Sequence, residues 1–193
     1  ACMQTYLPQG DARASREGYL STRNRQEAAA VVLDVARELR LSQFTPAAEE
    51  LTFAPGGQMP PIVYHASRGD GLLTGKIDRV DSTDKYVRVI DYKTGSIDDS
   101  PVSYYTGRKL QLQLYMSAVK GDRTPAGVFY FPASVSYSKT AEGKFRMKGF
   151  LNGEQEALLA GDKNLEAGGK SEFFDAQLTE NSRLEKVMDE ETF

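Results

Sequence analysis

Two apolar, β-branched runs, Leu72-Leu73-Thr74-Gly75-Lys76-Ile77 and Tyr86-Val87-Arg88-Val89-Ile90, stand on either side of the polar stretch Asp81-Ser82-Thr83-Asp84-Lys85. No other feature constrains the fold as strongly. Val, Ile and Tyr suit a pleated, half-buried surface, whereas Asp, Ser and Thr close turns. The segment therefore reads as a β-hairpin with strands near 71–81 and 85–93 and with Asp81 in its turn. Residues two apart on a strand share a face, so Asp91 and Lys93 project together while Ile90 and Tyr92 point the other way. Asp78 lies on the preceding strand, and Asp81, an odd step further on, falls on the opposite face from it. Charges at the ends of half-buried strands need partners. Two carboxylates can hold a hard divalent cation through oxygen, and an ammonium beside them can orient a water. Alone, Asp-x-Lys is a three-residue pattern of little specificity, and such residues commonly sit in weak, solvated ion pairs.

The remaining periodicities place this hairpin in a mixed α/β domain. Asn24-Arg25-Gln26-Glu27 resembles a capping box, and Ala28, Val31, Val32, Val35 and Leu39 then recur at helical spacing. A helix of about 15 to 20 residues follows, its apolar stripe packed on the sheet. Strands are expected at 48–53 and 61–66, separated by the turn Pro55-Gly56-Gly57, and again at 126–131 and 145–151. Residues 98–107 read as loop, and 110–119 as a helix that puts Gln111 and Tyr115 on one face. Weak helical signals occupy 154–163 and 183–191. Residues 1–20, polar and broken by Pro8 and Gly10, read as a flexible N-terminal segment.

Composition excludes several classes. The 193 residues suit one domain, and no apolar run approaches transmembrane length. A net charge of −3 gives no overall attraction to nucleic-acid phosphate. Cys2 is the sole cysteine, which rules out a disulfide framework and favours a cytoplasmic origin. Gly75-Lys76 lacks the other elements of a phosphate-binding loop, since Asp70 stands where a glycine is needed and Ile77 where Ser or Thr is needed. One histidine, His65, and one cysteine cannot complete a zinc site, and a Ser-His-Asp hydrolase would have to recruit His65, yet no Gly-x-Ser-x-Gly elbow occurs.

Asp78, the Asp91-Tyr92-Lys93 triplet and Gln111 with Tyr115 together resemble the PD-(D/E)XK nuclease superfamily in its RecB-like branch. The wording around them is similar to AddB-type nuclease domains: Glu50-Leu51-Thr52-Phe53, Leu73 to Asp81, Val89 to Gly95, Leu110 to Tyr115 and Phe145 to Phe150. The resemblance implies a restriction-endonuclease-like fold with a central mixed sheet flanked by helices. It also implies a Mg²⁺- or Mn²⁺-dependent exonuclease acting in double-strand-break processing beside an AddA-type helicase/nuclease subunit, with DNA as substrate and no membrane. In that scheme Asp78, Asp91 and the backbone carbonyl of Tyr92 hold the metal, and Lys93 positions the attacking water. Gln111 and Tyr115 contact phosphate or brace the ligands, and Glu50 adds an acidic group or orients Lys93.

The departures define what kind of member this would be. The family's histidine stands in a Gly-x-x-x-His helix upstream, whereas His65 occupies the strand-like run Pro61 to Ala66 and reads as structural. AddB-type proteins supply four cysteines to an iron-sulfur cluster, which Cys2 alone cannot hold. The chain is thus expected to be an excised nuclease-like domain of a larger subunit, weakly active or inactive alone. Competing readings are a non-catalytic module of the same fold that binds DNA or a partner subunit, and another RecB-like nuclease. Degenerate members usually lose an acid or the lysine, and Asp78, Asp91 and Lys93 are all present.

Overall fold

The computed structural model describes residues 16–97, 101–133 and 145–174. In chain order these form helix α1 (Arg16–Leu41), strands β1 (Thr45–Phe53), β2 (Ile62–Ala66), β3 (Gly69–Leu73), β4 (Gly75–Ser82) and β5 (Tyr86–Lys93). Helices α2 (Pro101–Tyr105) and α3 (Gln111–Val119), strands β6 (Thr124–Pro132) and β7 (Lys148–Leu151), and helix α4 (Gln155–Gly161) follow. A 3-10 turn, Lys163–Ala167, comes last.

A five-stranded sheet runs in the order β1-β4-β5-β6-β7. Every neighbouring pair is antiparallel except β5 and β6, which are parallel and joined through α2 and α3. The expected mixed sheet flanked by helices is therefore present. One face carries Ile90, Phe129 and Phe131, packed with Val31 and Val35 of α1 and Leu158 of α4. The other carries Val80, Val87, Val89, Val128 and Tyr130, packed with Leu112 and Met116 of α3. Such two-sided cover explains why β5 is buried almost throughout instead of alternating between buried and exposed residues.

Four expectations need correction. The run at 71–81 is two strands, because the chain leaves β3 at Thr74, and β3 pairs with β2 in a separate two-stranded sheet. The 98–107 loop contains α2. Residues Arg16 to Leu20, expected in a flexible segment, open α1, which at 26 residues is longer than the capping signal implied. Asp81 is fully buried in β4 and is no turn residue; two arginines neutralise it, as described below. Cys2, the rest of the N-terminal segment and the 183–191 helix lie outside the described residues.

In the β1–β4 ladder Ala48 lies opposite Val80 and Leu51 opposite Ile77, and all four belong to the α3-side core. Unbroken alternation would send residues three apart to opposite faces. Both strands therefore change phase between these pairs, at Glu50 and at Asp78. Glu50 has φ = 52°, the left-handed conformation that re-aims a strand and is costly for a residue with a Cβ.

Candidate active site

β4 and β5 are in register with Arg79 opposite Ile90, so the next step of the ladder brings Asp78 to face Asp91. There a side chain replaces the backbone ladder: the Tyr92 N–H donates to Asp78 Oδ2 at 2.9 Å. Asp91 is buried, 3% exposed, and its Oδ2 lies 2.6 Å from Lys93 Nζ. That ion pair fixes Asp91 and Lys93 on one face. Tyr92 points the other way, its ring edge-to-face with Phe131 at 5.3 Å.

Helix α3 closes the site from above this face. Gln111 Nε2 donates to Asp91 Oδ1 at 3.1 Å and to the Tyr115 hydroxyl at 2.9 Å, while Gln111 Oε1 accepts from Lys93 Nζ at 3.4 Å. One amide thus ties the acid, the ammonium and the phenol together. Tyr115 is in turn set edge-to-face against Phe53 at 5.8 Å. This stack passes so close to β4 that a Cβ on Gly75 would stand 2.6 Å from the Phe53 ring and 3.2 Å from Tyr115. Glycine at the start of β4 is what lets α3 sit this near the strand carrying Asp78.

The charges tune one another. Burial pushes the Asp91 carboxyl above its ordinary pKa; Lys93 works against that rise, and the negative charge of Asp78 adds to it. Burial opposes the Lys93 ammonium, but its close pairing with the charged Asp91, with smaller help from Tyr130 and Asp78, raises its pKa above lysine's usual value. Lys93 is accordingly charged at neutral pH.

The donor set fits a hard cation. Asp91 Oδ2 is buried beside the ammonium yet receives no well-directed hydrogen bond, and Asp78 engages Tyr92 through one oxygen. Both groups are oxygen donors, as Mg²⁺ or Mn²⁺ prefers. No cluster of three His, Cys, Asp or Glu side chains suited to a metal occurs among the described residues, and the carboxylates gathered here are those of Asp78 and Asp91.

Glu50 and His65 are not drawn into these contacts. Glu50 is exposed and paired with Lys76, its left-handed backbone having turned it out of the strand's alternation. His65 lies on the β2–β3 hairpin, exposed, with Nδ1 2.7 Å from Asp70 Oδ1.

Behind the site lies a buried cluster that sequence reasoning missed. Arg79 donates to Asp81 through Nε and Nη2 at 2.7 and 2.6 Å, and to Glu38 of α1 at 3.2 Å. Arg88 donates to Asp81 at 2.8 Å, pairs with Glu38 at 2.6 Å and lies over the Phe44 ring. Two acids and two guanidiniums balance in a buried cluster, which is the condition for burying such charges. Their signal was the interleaving of Arg79, Asp81 and Arg88 with the β-branched residues Val80, Val87 and Val89.

Residues 1–190 match the model of the PD-(D/E)XK nuclease superfamily. Among curated proteins the chain is similar to the B subunit of an ATP-dependent helicase/deoxyribonuclease from Alkaliphilus oremlandii, 29% identical over 196 residues, covering 89% of this chain and 17% of that protein. It is also similar to proteins of that name from Acetivibrio thermocellus, 30% identical over 92% of this chain and 18% of the relative, and from Caldanaerobacter subterraneus, 37% identical over 61% and 11%. The chain thus spans less than a fifth of the length of these relatives. Among the described residues no helix is long and apolar enough to cross a membrane.

Proposed function

Because the chain belongs to the PD-(D/E)XK nuclease superfamily, we propose that Asp78, Asp91 and Lys93 form the active site of a metal-dependent deoxyribonuclease, the nuclease domain of an AddB-type subunit. In this reading it works in the cytoplasm on DNA ends, beside an AddA-type helicase/nuclease partner. The observation that carries the reading is the Asp91–Lys93 pair at 2.6 Å, facing Asp78 and knitted to α3 through Gln111.

Asp78, Asp91 and the backbone carbonyl of Tyr92 would hold Mg²⁺ or Mn²⁺, which supplies Lewis acidity toward the scissile phosphate and lowers the pKa of a bound water. Lys93 then has two tasks. Its ammonium orients the attacking oxygen and offsets the negative charge that develops on phosphorus. Gln111 keeps Lys93 and Asp91 from collapsing into other rotamers, and Tyr115 holds Gln111. Water adds at phosphorus, the bond to the 3′ oxygen breaks, and a 5′-phosphate and a 3′-hydroxyl result. Glu50, between the Glu49–Arg79 and Leu51–Ile77 pairs of the ladder, is the candidate for a further acidic group if its side chain leaves Lys76.

The test is strand degradation of linear DNA by this chain with Mg²⁺ or Mn²⁺, compared with Asp91→Asn and Lys93→Ala. Loss of a positioning or acid-base group commonly costs about 10²- to 10⁴-fold. Cleavage at the wild-type rate by either variant would remove that residue from the mechanism.

A further inference from the structure

Tyr130 is the one residue with a polar tip in the run Ala126-Gly127-Val128-Phe129-Tyr130-Phe131 of β6, and it is 4% exposed. β6 runs parallel to β5 with Tyr130 opposite Asp91 and Phe131 opposite Tyr92. Partners on neighbouring strands share a face, so the Tyr130 ring lies on the side of the sheet that carries Asp91 and Lys93. The Lys93 ammonium stands over that ring, 5.3 Å from its centre. This is within range of the attraction between a cation and the electron-rich face of an aromatic ring, which desolvation strengthens. Three elements therefore hold one ammonium: β5 through Asp91, α3 through Gln111 and β6 through Tyr130.

The three contacts cease to be equivalent once Asp91 serves a metal. Asp91 Oδ2, 2.6 Å from the ammonium, is also the buried oxygen that receives no well-directed hydrogen bond. An oxygen shared with a divalent cation attracts the ammonium less, and the cation itself repels it. Held by Asp91 alone, Lys93 would then turn out to water on its flexible stem. The Tyr130 ring offers the ammonium a seat that does not depend on the carboxylate. It is also fixed in place, since Tyr130 belongs to the α3-side core with Val128, Leu112 and Met116.

We propose that Tyr130 is a positioning residue for Lys93, its ring being the seat that keeps the ammonium at the site when the Asp91 carboxylate turns to a cation. The role belongs to the face of the ring and not to the hydroxyl. Phenylalanine should therefore serve, and leucine, which fills space without a π-face, should not. The use of this seat in catalysis rests on the nuclease reading above; the seat itself is tested without metal.

The experiment reads ring-current shifts by NMR in the chain carrying ¹³C-labelled lysine, in EDTA. The Lys93 signal is the one missing from Lys93→Arg. In the wild type its ε-methylene protons should lie upfield of those of the exposed Lys120, as protons above a ring do. The displacement should persist in Tyr130→Phe and in Asp91→Asn, which removes the carboxylate charge, and should vanish in Tyr130→Leu. Lys85, 4.9 Å from the centre of the Tyr86 ring, is the internal reference and should keep its shift in every variant. An undisplaced Lys93 signal in the wild type overturns the proposal before any variant is made. Loss of the displacement in Asp91→Asn would show that the carboxylate alone holds the ammonium, and loss in Tyr130→Phe that the hydroxyl does; either overturns it. On linear DNA in Mg²⁺, Tyr130→Leu should lower kcat about five- to thirtyfold at an unchanged KM, with Tyr130→Phe near the wild type. An unaltered kcat in Tyr130→Leu would overturn the positioning role. Absence of cleavage by the wild type, with the NMR result as expected, would count against the nuclease reading and leave the seat standing.

Discussion

Arg79 reaches across from β4 to donate a 3.2 Å hydrogen bond to the Tyr92 hydroxyl, on the face of the sheet away from Asp91 and Lys93. Arg79 follows Asp78, and Tyr92 separates Asp91 from Lys93. Tyr92 also donates its N–H to Asp78. The two strands that present the candidate acids are therefore clamped twice by one residue, once through its backbone and once through its ring hydroxyl.

Tyr92→Phe tests the second clamp. The ring keeps its edge-to-face contact with Phe131, so the variant loses one hydrogen bond and about 1 kcal/mol of stability. If that bond positions the acids, Mg²⁺-dependent cleavage should fall several-fold at an unchanged fold. A shifted urea midpoint with an unaltered rate would show that the bond serves stability alone.

Glu38→Ala should be among the most destabilising changes in the chain. Glu38 is 1% exposed and pairs with both Arg79 and Arg88, so its removal leaves guanidinium charge uncompensated in the interior. Breaking a buried pair this way costs about 3–5 kcal/mol. Glu38→Gln, which keeps oxygen for one guanidinium, should cost less. Urea unfolding of the two variants measures the difference, and equal midpoints would mean that the network is dispensable.

The central hairpin was legible because its strands are rich in β-branched and aromatic residues and its turn is polar, and both signals are local. Strand phase put Asp91 and Lys93 on one face and helical spacing put Gln111 beside Tyr115, whereas bringing Asp78 and the α3 pair to them was implied only by the resemblance to the nuclease superfamily. Three things were not legible, each for a reason outside the local pattern. Asp81 has the propensity of a turn residue, and only arginines on two strands and α1 packed above them make its burial tolerable. The break at Thr74 lies within an apolar run and is decided by which sheet each half joins. Glu50 leaves the alternation through its own backbone angle, which no side-chain pattern announces.

Glu50→Gly separates the backbone of that residue from its carboxylate. At φ = 52° glycine is unstrained where glutamate is not, so the variant should gain up to about 1 kcal/mol, less the small contribution of an exposed pair with Lys76. Glu50→Gln keeps the strain and removes only the charge. If the carboxylate takes part in metal binding, both variants lose activity equally. Activity retained in both would dismiss Glu50 from the site.

Gln111→Ala should weaken metal binding more than it weakens the fold. The amide bonds to Asp91, Lys93 and Tyr115 at once, and removing a group that orients metal ligands typically costs about 10- to 100-fold in affinity or activity. Tyr115→Phe breaks only the outermost of these bonds and should cost less. Titration calorimetry with Mn²⁺ ranks them, and the reverse order would mean that Tyr115 acts on the substrate and not through Gln111.

Asp91→Asn should lose metal binding and gain stability in the absence of metal. Burial, reinforced by Asp78 and only partly opposed by Lys93, holds the Asp91 pKa above its ordinary value in the folded chain. Between the ordinary and the raised value the folded state therefore carries more protons than the unfolded state, and stability falls as pH rises through that window. Above it the penalty is fully present. Asparagine does not titrate, so in EDTA the variant should match the wild type at acid pH and exceed it at neutral pH. Lys93 loses its partner in the variant, but its side chain is 36% exposed and water compensates most of that loss. Mg²⁺ should then raise the wild-type midpoint and leave the variant nearly unmoved, because only the wild type retains both acids. Urea midpoints across a pH series, with and without Mg²⁺, measure all of this. A variant less stable than the wild type at neutral pH in EDTA would mean that the Lys93 pair outweighs burial, and that Asp91 is a structural ion-pair partner and not an acid held at a cost for a cation.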